Sequence, residues 1–380
     1  MVFSSFTFLF AFLPLVLLLY ASAPRPLRNP VLLFASYFFY AWGAPKVLPL
    51  LFVGSLVDFY LARFLLPGGR QQRRRLAFKY ANFFVEQLNA SVTALGMQAI
   101  PWLSIALPIG ISFYTFQKIS YLIDVFRGEA DPASSFFDYA LYVAFFPQLI
   151  AGPIIRYLDL DKQLKSRTHS LSLMLYGANR FSFGLAKKIL IADPMGQVAR
   201  NIFELDPSQL STSYAWVGAV AYSFQIYFDF SAYSDMAIGL GAAFGFRIPE
   251  NFNFPYVSRT LTEFWRRWHI SLSTWMREYL YIPLGGNKVS TFRLYTNLWI
   301  VFLLSGFWHG ASWTFVLWGA FHGFFLTLDR IFLARWMAHI PRGLAAICTY
   351  VIVVFSWVLF RTESIEQTLI FYSAMLGFGE

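Results

Sequence analysis

Charge is scarce in this 380-residue chain: 13% of its residues are Asp, Glu, Lys or Arg, against about 25% in an ordinary soluble domain. Cysteine is almost absent, and the single Cys348 excludes a disulfide framework, a cysteine-rich zinc site and an iron-sulfur cluster. It lies in the apolar run AAICTYVIVV and reads as a small core or lipid-facing residue. Several catalytic signatures are missing as well. There is no G-x-S-x-G elbow, no H-E-x-x-H helix and no P-loop, which argues against covalent serine hydrolysis, zinc proteolysis and ATP-driven transport by this chain alone. A net charge of +10 raises nucleic acid as a partner. The basic residues, however, sit in short loops between apolar runs, where the positive-inside rule accounts for them, so no nucleic-acid binding is expected.

What the chain has in quantity is apolar sequence: 57% hydrophobic and 20% aromatic residues. A helix of about 20 apolar residues crosses a hydrocarbon core of ~30 Å, and helices satisfy their own backbone there. The reading is an all-α polytopic membrane protein. Candidate spans are 3–22, 30–43, 46–66, 91–116, 136–155, 170–192, 212–229, 231–246, 293–308, 311–331 and 343–361, some of them re-entrant or interfacial. The first lacks a basic n-region and reads as a retained helix, while Ala21, Ser22 and Ala23 leave cleavage open. Arg25 and Arg28 in one loop, and Arg70, Arg73, Arg74, Arg75 and Lys79 in another, place both in the cytoplasm and the N-terminus outside.

Polar residues within the apolar runs are candidates for function. Asp58 and Arg63 pair within the protein or line a polar path, and Lys118 and Asp124 sit among aromatics facing other helices or a cavity. Pro147, Gly152 and Pro153 point to a kinked or re-entrant element. Asp159 and Asp161 have the D-x-D spacing of a metal-binding loop, but in charged sequence they read as solvated, as does His169. Lys187 and Lys188 read as snorkelling lysines. Gln225 and Asp229 share one helical face, and Ser231 and Asp235 another. Two carboxylates in so apolar a run must be paired, hydrogen-bonded or protonated, either in a packing network or at a site. Gly239, Gly241 and Gly245 permit close helix approach.

The stretch Asn251–His322 carries three of the five histidines. Thr260 and Glu263 have capping-box spacing, and Leu261, Phe264, Trp265, Trp268, Leu272, Trp275 and Tyr279 recur at helical period through an amphipathic, Trp- and Arg-rich helix of the bilayer interface. His269 lies on it, where a lone histidine is more often structural. His309, in SGFWHGASW, is the better candidate: burial keeps an imidazole neutral, the form a general base needs. Ser305 and Trp313 stand four residues to either side, and Gly306 with Gly310 forms a G-x-x-x-G. His322 reads as a helix-contact residue and His339 as part of a polar surface loop.

FWRRWHISLSTWMREYLYIPLGGN, followed forty residues after His269 by GFWHGASWTFVLWGAFHG, and QIYFDFSAYSDMAIGLG with FFPQLIAGPIIR, resemble the membrane-bound O-acyltransferase (MBOAT) family in its bacterial alginate O-acetyltransferase-like branch. The resemblance covers nearly the whole chain. It implies a ring of tilted helices around a central tunnel, with interfacial and re-entrant helices, in the bacterial inner membrane. It implies His309 as the catalytic residue and His269 as the polar residue forty positions before it; the expectation built on this is His309 as base and His269 orienting or assisting it, with Trp308, Trp268 and Trp313 shaping the tunnel, and Ser305, Asp229, Asp235 and Gln225 as further tunnel or substrate-binding candidates. It implies acetyl-CoA as donor substrate with no bound cofactor or metal, a polysaccharide acceptor, and a periplasmic or membrane-anchored transferase partner. D-alanyl transfer to teichoic acid, a polysaccharide or lipid transporter, and a non-catalytic scaffold are the alternatives. Relatives usually carry another span between the basic loop and the KYANFF-like sequence, and further helices after GFGE. The expectation is therefore one membrane-embedded domain over 1–380, without a span near residue 76 and without those C-terminal helices.

Overall fold

Where a serine or threonine precedes an apolar run, the chain turns into a helix. Ser135, Ser170, Ser211, Thr260, Ser290 and Ser364 each stand at an N-cap, the side-chain oxygen accepting from the backbone N–H three residues on. Each cap satisfies a donor that the first helical turn leaves without a partner. The computed structural model describes residues 1–64 and 110–378, and every regular element among them is helical. The loop with Arg70, Arg73, Arg74, Arg75 and Lys79, the expected gap near residue 76 and most of the 91–116 span lie outside the described residues.

In chain order the helices are α1 (Leu13–Ser22), α2 (Arg28–Gly43), α3 (Leu48–Phe64), α4 (Ile111–Arg127), α5 (Phe136–Ala144), α6 (Phe146–Leu149) and α7 (Tyr157–Lys165). Next come α8 (Leu171–Lys187), α9 (Asp193–Phe203), α10 (Thr212–Ala243), α11 (Leu261–Arg267) and α12 (Ile270–Met276). The last are α13 (Thr291–His309), α14 (Trp313–Leu328), α15 (Ala334–His339), α16 (Arg342–Arg361) and α17 (Ile365–Met375). Among the described residues three helical stretches, Pro45–Phe64, Trp313–His339 and Arg342–Arg361, are long and apolar enough to cross a membrane.

Several boundaries differ from the sequence reading. The runs at 212–229 and 231–246 are one 32-residue helix, α10. Its central Ser231 returns its hydroxyl to the Phe228 carbonyl, 3.5 Å away, so the polar residue does not end the helix. α8 runs through a π-bulge at Lys188–Ala192 into α9, which absorbs Pro194 in the first turn. A second bulge at Asp329–Leu333 joins α14 to α15. His339 therefore ends a helix, exposed, with Nδ1 2.7 Å from the Arg335 carbonyl, and is not in a loop.

The break expected around Pro147 is present and buried. α5 stops at Ala144, and Phe145 leaves the helical region with φ −53° and ψ 109°. The groups this frees find side-chain partners: Phe146 N–H donates to Ser36 Oγ at 3.1 Å, and Gln148 Nε2 donates to the Tyr142 carbonyl at 2.6 Å. Irregular backbone is tolerated at such depth when protein encloses it. Phe146 then packs with Phe8, Phe12 and Phe39 in an aromatic core that joins the N-terminal helices to the end of α10.

α8 and α10 form the most extensive helix pair. A Cβ at Gly177 or at Gly239 would fall 2.5 Å from the other's carbonyl oxygen, a backbone contact that only glycine permits. Ion pairs fasten the same crossing. Asp235 accepts from Arg180 at 2.7 Å and Lys187 at 2.5 Å, and Lys188 bridges Asp229 at 2.9 Å and Asp193 at 2.7 Å. The two lysines are thus partners of buried or half-buried carboxylates, not snorkelling cations. Asp58 pairs with Lys118 at 3.5 Å, while Arg63 lies 3.8 Å from the Phe59 ring centroid.

Candidate active site

The amphipathic helix expected from Thr260 to Tyr281 breaks in the middle, at the histidine. Trp268 is extended, and His269 takes the left-handed region with φ 43° and ψ 56°. This is uncommon outside glycine and costs about 1–3 kcal/mol. The extended segment after Glu250 holds the break from both sides: Ile270 N–H donates to the Asn251 carbonyl at 2.9 Å, and Asn253 N–H donates to the Arg267 carbonyl at 2.9 Å. The turn carries His269 inward, where it is 1% exposed. It is not on the surface of an interfacial helix.

Asn251 organises the polar atoms around it. Its Oδ1 accepts from Ser271 N–H at 3.1 Å and Ser271 Oγ at 2.9 Å, and lies 3.1 Å from His269 Nδ1. Its Nδ2 donates to Ser234 Oγ on α10 at 3.2 Å. Because a backbone N–H can only donate, the atom facing Ser271 is the amide oxygen, and the His269 Nδ1 beside it must carry the proton. The other ring nitrogen, Nε2, is buried, has no hydrogen-bond partner among the described residues and holds the lone pair. Ser271 Oγ also accepts from Ile154 N–H at 3.0 Å, tying the irregular stretch after α6 to this centre. The Phe230 ring meets the imidazole edge-on at 4.6 Å.

His309 closes α13, and Gly310 continues as extended chain. Its ring is 4.6 Å from Trp308, 5.0 Å from Trp318 and 5.1 Å from Phe360, each near perpendicular. α13 and α14 can meet this closely because a Cβ on Gly306 would collide with the Phe315 carbonyl and the Gly319 backbone. Trp318 also touches His322, at 4.8 Å, so it stands between two histidines. His322 is fully buried, and its Nδ1 accepts from Trp265 Nε1–H at 3.2 Å. Nδ1 is therefore the bare nitrogen of that ring and Nε2 its N–H. His309 lies within electrostatic reach of both His269 and His322. Burial, then the nearby His309, holds the His269 imidazole, which is outside the three candidate spans, well below its ordinary pKa. It is a neutral ring with a defined tautomer.

The remaining candidates divide by position. Trp308 contacts Phe113 and Phe116 as well as His309. Trp268 is buried and packs on Trp357 at 4.8 Å and Phe264 at 5.6 Å. Ser305 is buried one turn before His309. Trp313 begins α14 and is half-exposed: α13 stops at His309, so helical i,i+4 spacing does not extend to it. Gln225, Asp229 and Asp235 face α8 and α9, with Gln225 against Gly196, while Tyr227 and Phe230 of the same helix face Trp268 and His269. Asp159 pairs with Arg156 at 3.0 Å and Asp161 with Lys165 at 2.9 Å. Among the described residues no group of three or more His, Cys, Asp or Glu side chains is placed to hold a metal. Sequence reasoning gave no role to Asn251, Trp265 or Phe360. Their partners lie 18, 57 and about 50 residues away along the chain, a distance at which periodicity is silent.

The described residues form apolar helices that hold His269, His309 and His322 in an aromatic interior, and comparison with known proteins identifies the class. The model of the membrane-bound O-acyltransferase family matches residues 127–371, and the chain belongs to that family: it is an acyltransferase. It is 48% identical to the "Probable alginate O-acetylase AlgI" of Pseudomonas aeruginosa over all of this chain and 75% of the relative. To the peptidoglycan O-acetyltransferase of Helicobacter pylori it is 38% identical, over 99% of this chain and 80% of the relative. To the teichoic acid D-alanyltransferase of Streptococcus thermophilus it is 29% identical, over 60% of this chain and 58% of the relative.

Proposed function

We propose that the chain takes an acetyl group from acetyl-CoA at the cytoplasmic side of the bacterial inner membrane, which it crosses several times. It delivers the group to a hydroxyl at the outer side, for O-acetylation of an extracellular or periplasmic polysaccharide such as alginate, directly or through a periplasmic or membrane-anchored transferase partner. His309 is the base. It takes the proton of the acceptor hydroxyl as that oxygen attacks the thioester carbonyl. The carbon-sulfur bond breaks, and the departing thiolate takes up a proton to leave as free CoA thiol. His269 orients the incoming hydroxyl by accepting from it at Nε2, before that single proton turns to His309. Trp308, Trp268 and Trp313 shape the passage within a ring of tilted helices, in which a dry, fixed environment strengthens each polar contact.

The observation that carries this reading is the position of His309 at the end of an apolar helix, ringed by Trp308, Trp318 and Phe360 and within reach of the neutral His269. The relatives named as O-acetylating enzymes support acetyl as the group moved. The relative named for D-alanyl transfer shares less sequence over less of the chain, which ranks that reading second. A transporter would route its cargo past Asp58, Asp229 and Asp235, but each of these is held in an ion pair. Proteoliposomes given acetyl-labelled acetyl-CoA, polysaccharide and the partner transferase test the proposal. Wild type should move label to the polymer and His309→Ala should not; label that moves from D-alanyl donors only would replace acetyl by the second reading.

A further inference from the structure

His269 is set by a residue with no assigned part in the reaction. We infer that Asn251 is a positioning residue that holds His269 as the Nδ1–H tautomer, making Nε2 the basic nitrogen offered to the acceptor hydroxyl. The inference rests on the acetyl-transfer reading for what Nε2 acts on, but the tautomer follows from geometry alone. Oδ1 of Asn251 receives Ser271 N–H at 3.1 Å and Ser271 Oγ at 2.9 Å, which fixes the amide orientation, and His269 Nδ1 stands 3.1 Å from the same oxygen.

The backbone agrees with the side chains. Asn251 also accepts from Ile270 N–H through its own carbonyl, so one residue both turns His269 into its left-handed conformation and selects its protonated nitrogen. Asn251 is 1% exposed, and water does not compete for Oδ1. Around the imidazole stand Phe230 from α10, Phe113 from α4 and Ser271 from α12, none of which titrates. The titratable group acting on it is His309. An outer partner that fixes a functional histidine's tautomer in this way is worth on the order of 10- to 100-fold in activity at metal sites.

The test is the pH profile of acetyl transfer in the reconstituted system. Asn251→Asp keeps an acceptor at the same place but adds a negative charge, which favours the imidazolium. His269 then loses its proton only at higher pH, and the acid limb of kcat/KM should move up by about 1 unit or more. Asn251→Leu, which has no acceptor, should lower kcat about 10- to 100-fold, measured per folded molecule. An acid limb and a His269 ¹⁵N titration in Asn251→Asp that both coincide with wild type overturn the inference. Should that variant not fold, ¹⁵N spectra of histidine-labelled wild type decide: a neutral His269 with protonated Nδ1 supports the assignment, and one with protonated Nε2 overturns it. Wild type in the same vesicles separates the two claims, because label that never moves from acetyl-CoA removes the acetyl-transfer reading while leaving the spectral result standing.

Discussion

His269 and His322 are the same residue type, both buried and both near His309, yet their surroundings make them different reagents. His269 sits at a helix break in a left-handed conformation, with a carbonyl oxygen at Nδ1. His322 sits in the middle of the regular helix α14, with an indole N–H at Nδ1. An acceptor at Nδ1 leaves the lone pair on Nε2 of His269, whereas a donor there leaves the proton on Nε2 of His322. Strain marks the first and not the second. Left-handed backbone at a non-glycine residue persists when the surroundings enforce it and clusters at active sites; a histidine in unstrained helix that satisfies a tryptophan is a packing contact.

The comparison breaks most directly on activity. His269→Ala should lower acetyl transfer per folded molecule about 100-fold, the scale of a misplaced reacting group. His322→Ala should stay below about 10-fold. Equal losses in both would erase the distinction. Stability should reverse the order. His322→Ala strips Trp265 Nε1–H of its acceptor and opens a space beside Trp318, for a loss of about 2–5 kcal/mol. His269→Ala keeps the left-handed backbone but leaves Asn251 Oδ1 its two donors from Ser271, and should lose less; unfolding of both in detergent, followed by tryptophan fluorescence, gives the ranking. A smaller effect tests the platform beneath both residues. Gly306→Ala forces a methyl against the Phe315 carbonyl at the α13–α14 crossing and should cost about 1–3 kcal/mol, with transfer lost in proportion to folded protein. A Gly306→Ala protein of wild-type stability would show that the crossing has room for a methyl group.

The same contrast explains what was legible in the sequence. Composition alone requires apolar helices, and the cap at Thr260 is visible as a letter before an apolar run. Even so, the capping box at Thr260 closes differently: the Thr260 oxygen accepts from Glu263 N–H at 3.1 Å, while the Glu263 carboxylate turns to Arg259 N–H at 2.9 Å. His309 could be picked out because an imidazole in an apolar segment is costly wherever the chain folds. His269 could not be read from its neighbours, since Trp265, Trp268 and Leu272 continue at helical period straight through it. What breaks that period is a pair of hydrogen bonds to residues 251 and 253, and a local pattern holds no record of a distant strand of chain. The aspartates of α10 fall between these cases. That they needed partners was plain from their setting, but Arg180, Lys187 and Lys188 become their partners only when α8 folds alongside.

In the proposed reaction His309 handles the proton of acetyl transfer while its neighbours set geometry. Transfer of labelled acetyl from acetyl-CoA to polymer in proteoliposomes, measured for His309→Ala beside His322→Ala at matched amounts of folded protein, tests it most directly. His309→Ala should give no transfer above background and His322→Ala sustained transfer; His309→Ala working at the wild-type rate would remove His309 as the base.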